Sequence, residues 1–353
     1  MAAAVKVPAK VAVSCLPFPT TLAGNRTTRG ALSLARRRAA WWGGGGGEAE
    51  AKRPMRFQVI LNEDGGTLRG RDVDGFAGTV RRTLEGLGHT VSIATVAGDG
   101  VEAALAEAAD GPADVVMVGG GDGTISAAAA RLAGSDKALA VLPAGTMNLF
   151  ARSLGIPLDL DAAVAALGDG AIHAVDVATA GDRIFVHQFS VGLHAKLVRL
   201  RQKKSFGSRL GKMRASLAAG LSTFFRPPRL EAALVIDGRA LTVRTAGIGI
   251  TNNLIGEGYR LPYAERPDGG VLGLYVTRAR RRRDLARLLF GILLGRWRRN
   301  RHVDVFEARE VTLRLLAHHR RFGCAIDGEL APLAMETRLA ILPGALKVVR
   351  PAS

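Results

Sequence analysis

Residues 114–124 read DVVMVGGGDGT, and residues 138–152 read ALAVLPAGTMNLFAR. Each stretch is a short apolar run that stops at a glycine-rich turn and opens into a helix-like segment. A strand that feeds a helix through such a turn is one half of a strand–helix–strand unit. Two in succession predict an α/β domain with a parallel sheet.

The flanking segments carry the same alternation. FQVIL at 57–61 reads as a buried strand. Residues 73–87 have helical spacing, with Val73, Phe76, Val80, Leu84 and Leu87 on one face and Gly88 as the stop. A second strand is expected at 90–95, an Ala-rich helix at 100–109, a third strand at 114–118, a helix at 125–133 and a strand at 138–142. Residues 55–175 thus form an α/β domain, with helices on both faces of its sheet. Beyond about residue 175 the chain becomes short, β-like segments: 184–191, 230–236, 240–250, 271–277, 303–306, 310–316, 322–326 and 338–341. Helical stretches at 206–225 and 283–297 interrupt them. That pattern predicts a mostly antiparallel β-sandwich over 176–342. Residues 343–353 form a C-terminal segment placed to return to the first domain.

The loop Gly119-Gly120-Gly121-Asp122-Gly123-Thr124 has the chemistry of a phosphate site. Glycines let backbone N–H groups approach an anion closely, and the following helix presents free N–H groups and a partial positive charge. Asp122 could hold a nucleotide-borne Mg²⁺ or influence proton transfer. Thr124 could cap the helix or donate to a phosphate. The loop is neither a Walker A motif nor a regular G-x-G-x-x-G fingerprint, and alone it would also suit a tight structural turn. A second loop, Gly145-Thr146-Met147-Asn148, at the end of the next strand adds weight, because neighbouring strand ends are where open α/β sheets bind ligands.

Composition sets outer limits. The chain has 353 residues, 48% of them hydrophobic, and a formal net charge of +18. Such a charge favours polyanions: nucleic acid, anionic lipid or phosphorylated substrates. No zinc spacing, helix-turn-helix signature or interleaved stacking aromatics accompanies it, so no nucleic acid partner is expected. No apolar run approaches the roughly 20 residues needed to span a bilayer. The two cysteines, Cys15 and Cys324, fit a reducing compartment. Residues 1–47 lack Asp and Glu and end in five glycines. Residues 1–54 read either as an organelle-targeting or disordered extension, or as sequence upstream of a true start at Met55.

In order, GGGDGT and LPAGTMNLFAR resemble the catalytic domain shared by diacylglycerol kinases, sphingosine kinases and small bacterial lipid kinases. Asn62 with Gly66 and Thr67 resembles the family's first nucleotide loop, and Thr95 before Gly98-Asp99 a Thr near the nucleotide. Val175-Asp176 with Phe189-Ser190-Val191-Gly192 resembles the start of its second domain. Asp327-Gly328-Glu329, with Pro343-Gly344-Ala345-Leu346, resembles its C-terminal catalytic segment. The resemblance covers 56–351. It implies a nucleotide-binding α/β domain, NAD kinase-like, joined to a β-sandwich, with ATP and Mg²⁺ bound between them. It implies phosphorylation of a lipid hydroxyl, with diacylglycerol to phosphatidic acid the first expectation. Nucleotide contacts are implied for Asn62, Thr95, Gly119, Gly120, Gly121, Asp122, Gly123, Thr124, Gly145, Thr146 and Asn148. Glu329 is implied as the base, assisted by Asp122 and Asp327.

Two positions depart from the family pattern. Glu63 follows Asn62 where the family has Pro. In Arg266-Pro267-Asp268-Gly269-Gly270-Val271-Leu272, Gly269 stands where the family has Asp. An accessory Mg²⁺ at Asp268 is left open.

Between Arg278 and Arg301 there are ten arginines and one acid, Asp284. Leu285, Leu288, Leu289, Ile292 and Leu293 share a helical face there. Arg280, Arg281, Arg282, Arg283, Arg296, Trp297 and Arg298 then suit an anionic membrane surface. The alternative is a helix whose apolar face packs on the sheet while its arginines stay solvated. A cytoplasmic enzyme, peripheral at the membrane and acting on a lipid alcohol, is the reading that results; a homodimer is left open. A soluble-substrate kinase of the NAD kinase type, another lipid acceptor and an inactive binding relative are the alternatives. His187, His194, His318 and His319 lack metal spacing and read as structural or surface residues.

Overall fold

A computed structural model describes residues 53–202, 228–258, 261–279, 282–296, 300–316 and 323–352. The helix expected at 206–225, residues 1–52, the pair His318-His319, and Arg280, Arg281, Trp297 and Arg298 lie outside the described residues.

The first domain follows the expected alternation. Strands β1 (Arg56–Asn62), β2 (Thr90–Val96), β3 (Val115–Gly120) and β4 (Ala138–Pro143) lie parallel in the order β2-β1-β3-β4. Helices α1 (Val73–Gly86), α2 (Val101–Asp110), α3 (Asp122–Leu132), α4 (Leu149–Ser153) and α5 (Leu160–Gly168) connect or cover them. β3 and β4 are buried at every position, as strands covered on both faces must be. On α1, Phe76, Val80 and Leu84 are buried at helical spacing, and the Asp72 carboxylate caps the first turn by accepting from Gly75 N. Leu87, expected on the same face, falls past the helix end and is exposed; Gly88 leaves the helix at φ +86°. Helix α3 starts three residues earlier than its apolar spacing implies, so Asp122 stands in the first turn itself. Helix α5 and helix α6 (Leu193–Gln202) are not evident in the sequence. Both are short, and α6 takes its packing from the sandwich it covers.

The second domain is a sandwich whose two sheets are not equivalent. One is antiparallel and six-stranded, in the order β12 (Val303–Ala308), β11 (Leu272–Thr277), β10 (Gly247–Asn252), β7 (Gln188–Gly192), β14 (Gly323–Ile326), β15 (Glu329–Pro332). The other is continuous with the first domain. Strand β16 (Glu336–Arg350) pairs antiparallel with β13 (Glu310–Leu315) through its first half and parallel with β4 through Lys347 and Val348. Strands β8 (Leu230–Ile236) and β9 (Arg239–Thr245) extend the sheet beyond β13, so ten strands form one mixed sheet spanning both domains. Strand β5 (Ala171–Ala180) runs antiparallel along β16 and pairs with β6 (Arg183–Phe185). Phe185, Phe189, Ile250, Leu274, Leu313 and Leu339 fill the space between the sheets.

Two expected strands prove to be pairs. The 184–191 segment turns between β6 and β7, and 240–250 breaks between β9 and β10. The segment expected at 338–341 is instead the 15-residue β16. Its length is hidden in the sequence by Pro343-Gly344, which reads as a stop but is absorbed as a bulge, with Gly344 at φ +59°.

Candidate active site

Three loops converge at the carboxyl ends of β1, β3 and β4, which stand side by side because Leu61, Gly119 and Leu142 are in register. Their approach is set by backbone. A Cβ on Gly145 would lie 3.0 Å from Gly121 Cα, and one on Gly65 would lie 3.3 Å from Gly120 Cα. A Cβ on Gly120 would lie 2.6 Å from Thr124 Cβ. At 2.6 Å something must shift, and at 3.0–3.3 Å the facing backbone must give by a few tenths of an ångström, so close packing favours glycine at all three positions. A Cβ on Gly121, by contrast, would meet only Gly145 Cα, at an ordinary contact distance of 4.0 Å. The result is a backbone-walled cradle over the start of α3. The first intrahelical bond of α3 runs from Ile125 N to Gly121 O, and no side chain caps the helix. Its leading N–H groups are therefore left for an anion.

Side chains hold the loops in register. Asn62 donates from Nδ2 to Thr124 Oγ1 at 3.0 Å and accepts from Asp64 N at 3.0 Å. The first loop therefore forms its turn although Glu63 replaces Pro. The Asp64 carboxylate accepts from Gly98 N and Arg69, which ties that loop to the end of β2. Thr67 binds Ala144 O through both its hydroxyl and its N–H, each at 2.8 Å. Thr95 and Thr146 are exposed beside these loops. Asn148, in the left-handed region at φ +50°, spends its amide within its own loop: Oδ1 accepts from Gly145 N, and Nδ2 donates to Pro143 O and Gly145 O.

Three acidic side chains line the domain junction in different states. Asp122 is half-buried; its two oxygens accept Asn148 N at 3.2 Å and Leu149 N at 2.9 Å, which caps α4. Asp327, at φ +46° in the β14–β15 turn, accepts four hydrogen bonds. These come from Val186 N, His187 N, Gln188 N and, at 2.6 Å, from Ser126 Oγ on α3. Asp327 is therefore a clamp rather than a free acid. Glu329, two residues on, is exposed, and its Oε1 lies 3.0 Å from where a Cβ on Gly123 would be. Among the described residues nothing forms a hydrogen bond or ion pair with its carboxylate. The sequence singles out Asp122 and Asp327 but not these hydrogen-bond roles. It misses Ser126, whose only signal is its place one helical turn after Asp122.

His187, read from sequence as structural or surface, lies within electrostatic reach of Asp327 and Asp122. Burial holds its imidazole below the ordinary histidine range, against the upward pull of those two carboxylates.

A fourth carboxylate organises the junction away from the cradle. Asp176, 2% exposed, accepts Gly344 N at 2.8 Å, Gly270 N at 2.7 Å and Asn253 Nδ2 at 3.1 Å. A Cβ on Gly269 would lie 2.7 Å from Asn253 Oδ1, so the absence of a side chain at 269 is matched by that asparagine. Asp268 is exposed and, among the described residues, forms an ion pair with Arg266 alone, at 4.0 Å. Among the described residues no group of three His, Cys, Asp or Glu side chains is gathered for a metal, there or elsewhere. Asp268 is thus not part of such a group among them. Asp122 fits a different kind of ion: each oxygen accepts only one N–H, which leaves a lone pair for a Mg²⁺ brought with phosphates and water.

Comparison with known proteins agrees with this geometry. The model of the diacylglycerol kinase catalytic domain matches residues 56–180, and that of the YegS C-terminal NAD kinase beta sandwich-like domain matches 188–350. A Mycobacterium tuberculosis protein named diacylglycerol kinase is 32% identical over 258 residues, 70% of this chain and 80% of that protein. An uncharacterised Synechocystis protein is 32% identical over 147 residues; the match spans 41% of this chain and only 34% of that relative. The crystal structure of a diacylglycerol kinase from Bacillus anthracis superposes with a TM-score of 0.62 at 16% identity, covering 85% of this chain and 98% of that one, which shows a shared fold. Two consecutive domain matches and a relative aligned over four-fifths of its length leave one conclusion: the chain belongs to the diacylglycerol kinase family.

Proposed function

We propose that this protein transfers the γ-phosphoryl group of ATP to a lipid hydroxyl, with diacylglycerol the favoured acceptor and phosphatidic acid the product. The observation that carries this reading is the placement of Glu329. Its carboxylate, unpaired among the described residues, stands beside Gly123 at the rim of a glycine cradle, on the hairpin that Asp327 clamps. Family membership supports the reaction class, and the name of the M. tuberculosis relative favours diacylglycerol.

In this reading the phosphates lie along Gly119–Thr124, where backbone N–H groups offset their charge without reorganising. Thr124, whose oxygen already accepts from Asn62, has its own O–H to donate. Asp122 is the carboxylate that would hold a Mg²⁺ arriving with the nucleotide, and that ion would supply neutralisation of phosphate charge. Glu329 accepts the proton as the lipid oxygen attacks. One O–P bond forms, the bond from the γ-phosphorus to the bridging oxygen breaks, and ADP leaves. The protein acts from the cytoplasm on lipid at a membrane surface; no helix among the described residues is long and apolar enough to cross a membrane.

The test is transfer of labelled γ-phosphate from ATP–Mg²⁺ to a panel of lipid alcohols in anionic mixed micelles, with Asp122→Ala alongside. Labelled phosphatidic acid from diacylglycerol is expected from the wild type and little from the variant. Label on a sphingoid base instead would correct the acceptor. Label on NAD would replace the lipid reading with that of a soluble-substrate kinase.

A further inference from the structure

Helix α7 (Arg282–Leu293) presents two unlike faces. Inward, Leu285 and Leu288 are buried with Ala279, and Ile292, Leu193 and Val303 pack on them. Its far end is fixed by Asn300, which is buried and donates to Leu288 O at 3.1 Å, and by Gly258 N donating to Gly295 O. The face that the sequence offers to a membrane is therefore partly spent on the protein.

The outward face is a separate stripe. Arg283, Arg287, Phe290 and Leu294 recur at steps of four, three and four, which places them in one row along the helix. Leu294 N donates to Phe290 O, so the row continues past the last helical residue. The Arg283 and Arg287 side chains are 65% and 59% exposed, Phe290 is 63% exposed and Leu294 51%. Asp284 is the one acid of the segment, lies 3.9 Å from Arg283 and 3.7 Å from Arg287, and is itself only 24% exposed. Arg296 is exposed just beyond Leu294. A Phe–Leu pair held in water beside cations is a costly surface for a protein that never covers it.

We infer that this stripe docks on an anionic lipid bilayer, with Phe290 and Leu294 entering the acyl boundary and Arg283 and Arg287 meeting the headgroups. Charge decides between occupants. A two-fold contact between copies would gather the arginines of both stripes in one interface, with only the largely covered Asp284 of each copy to offset them. Anionic headgroups neutralise those arginines and offer apolar depth for the two side chains between them. The inference rests on the lipid kinase reading for its purpose and not for its evidence. It also gives the site a mechanical link to the surface. Leu193 of α6 joins the inner cluster of α7, and Ala195 and Val198 of the same helix pack on Ala325 and Leu330 of the hairpin that carries Glu329.

The experiment is co-sedimentation of the full chain with vesicles of phosphatidylcholine alone or mixed with phosphatidylglycerol, at low and raised ionic strength. Binding is expected only to the mixed vesicles. Phe290→Ser with Leu294→Ser should weaken it by about tenfold or more at both ionic strengths, since each 1.4 kcal/mol of lost apolar insertion is a factor of about ten. Arg283→Gln with Arg287→Gln should weaken it mainly at low ionic strength, where charge is least screened. Phe290→Trp should bind at least as tightly as wild type. All these positions are exposed, so the thermal midpoint should not move. Unchanged binding by the Ser pair, or equal binding to phosphatidylcholine alone, overturns the inference. So does a wild-type dimer that the Ser pair dissociates without loss of vesicle binding; the stripe then belongs to a second copy. Because no turnover is read, failure of the kinase reading leaves this result standing, and kinase activity without vesicle binding removes only the docking surface.

Discussion

The two walls of the candidate site are built by opposite means. On the nucleotide side, glycine backbones press against each other and the side chains mostly serve to keep three loops in register. On the facing side, one hairpin is held over α3 by one carboxylate, Asp327, and delivers another, Glu329, which has no partner among the described residues. A wall of main chain binds an anion without sequence-specific chemistry and tolerates little added bulk. A wall made of one clamp can place a reactive group accurately but depends on that clamp. The difference predicts that lesions on the two sides separate binding from turnover.

The sharpest test is Glu329→Gln. It keeps the shape and removes the base, so kcat should fall by about 10²–10⁴-fold, while nucleotide affinity, read by titration with a non-hydrolysable ATP analogue, stays within a few-fold. Comparable losses of both would mean that Glu329 belongs to the cradle, and the contrast between the walls would collapse.

The next largest effects come as a matched pair. Gly145→Ala would force a Cβ to within 3.0 Å of Gly121 Cα and 3.3 Å of Asp122 N, so the cradle must open. Nucleotide affinity should drop by at least about tenfold, or about 1.4 kcal/mol. Asp327→Asn keeps the bulk but loses the charge behind four hydrogen bonds, and an amide can accept through one oxygen only. Hydrogen bonds to charged groups contribute about 1.5–3 kcal/mol each, so a stability loss of about 2–4 kcal/mol is expected by denaturant unfolding. Its kcat should fall while nucleotide affinity changes little. If both variants affect affinity alike, the walls are not independent.

The same contrast explains which parts of the molecule are legible in the sequence. The first domain is legible because β3 and β4 are buried throughout and its first helix carries apolar residues at helical spacing, at Phe76, Val80 and Leu84. The cradle is legible because glycine loops recur at two successive strand ends that each open into a helix, although either loop alone would also suit a tight turn. The second wall is readable from composition only in outline. Asp327-Gly328-Glu329 alone has the form of an ordinary turn; what distinguishes it is Ser126, 201 residues earlier in the chain. Long-range pairing also hides the continuity of the large sheet. β16 changes partners from β13 to β4 across a Pro-Gly bulge, and local sequence marks that point as an end. On α7 the apolar spacing is plain, yet it offers two opposed faces, and only packing shows that Leu285 and Leu288 point inward while Phe290 and Leu294 do not.

Ser126 tests whether the hairpin is positioned from the nucleotide side. Its hydroxyl is the only side-chain donor to Asp327 among the described residues, the other three being main-chain N–H groups. Ser126→Ala should cost about 1–2 kcal/mol of stability, a single bond to a charged acceptor in a partly buried setting. It should lower kcat more than it raises KM for ATP, and Ser126→Thr, which keeps the hydroxyl, should restore most of the loss. A fall in kcat that Thr does not rescue would mean the helix, not the hydrogen bond, was disturbed.

The smallest expected effect is a dependence on pH, and it comes from the meeting of the two walls. His187 is partly buried there, and that burial depresses its pKa from the ordinary 6.5 despite Asp327 and Asp122 nearby. A depressed folded pKa means that the folded chain resists a proton which the unfolded chain accepts. The contribution of His187 is therefore fully present above about pH 6.5 and is lost as pH falls through the lower, folded value. Unfolding midpoints measured from neutral to mildly acidic pH should decline more steeply for wild type than for His187→Gln, which has nothing to titrate. The difference between the two curves isolates this histidine from the others, whose titration is common to both. If the curves stay parallel, the imidazole is not held away from water, and the two walls do not close on each other as tightly as its lowered pKa implies.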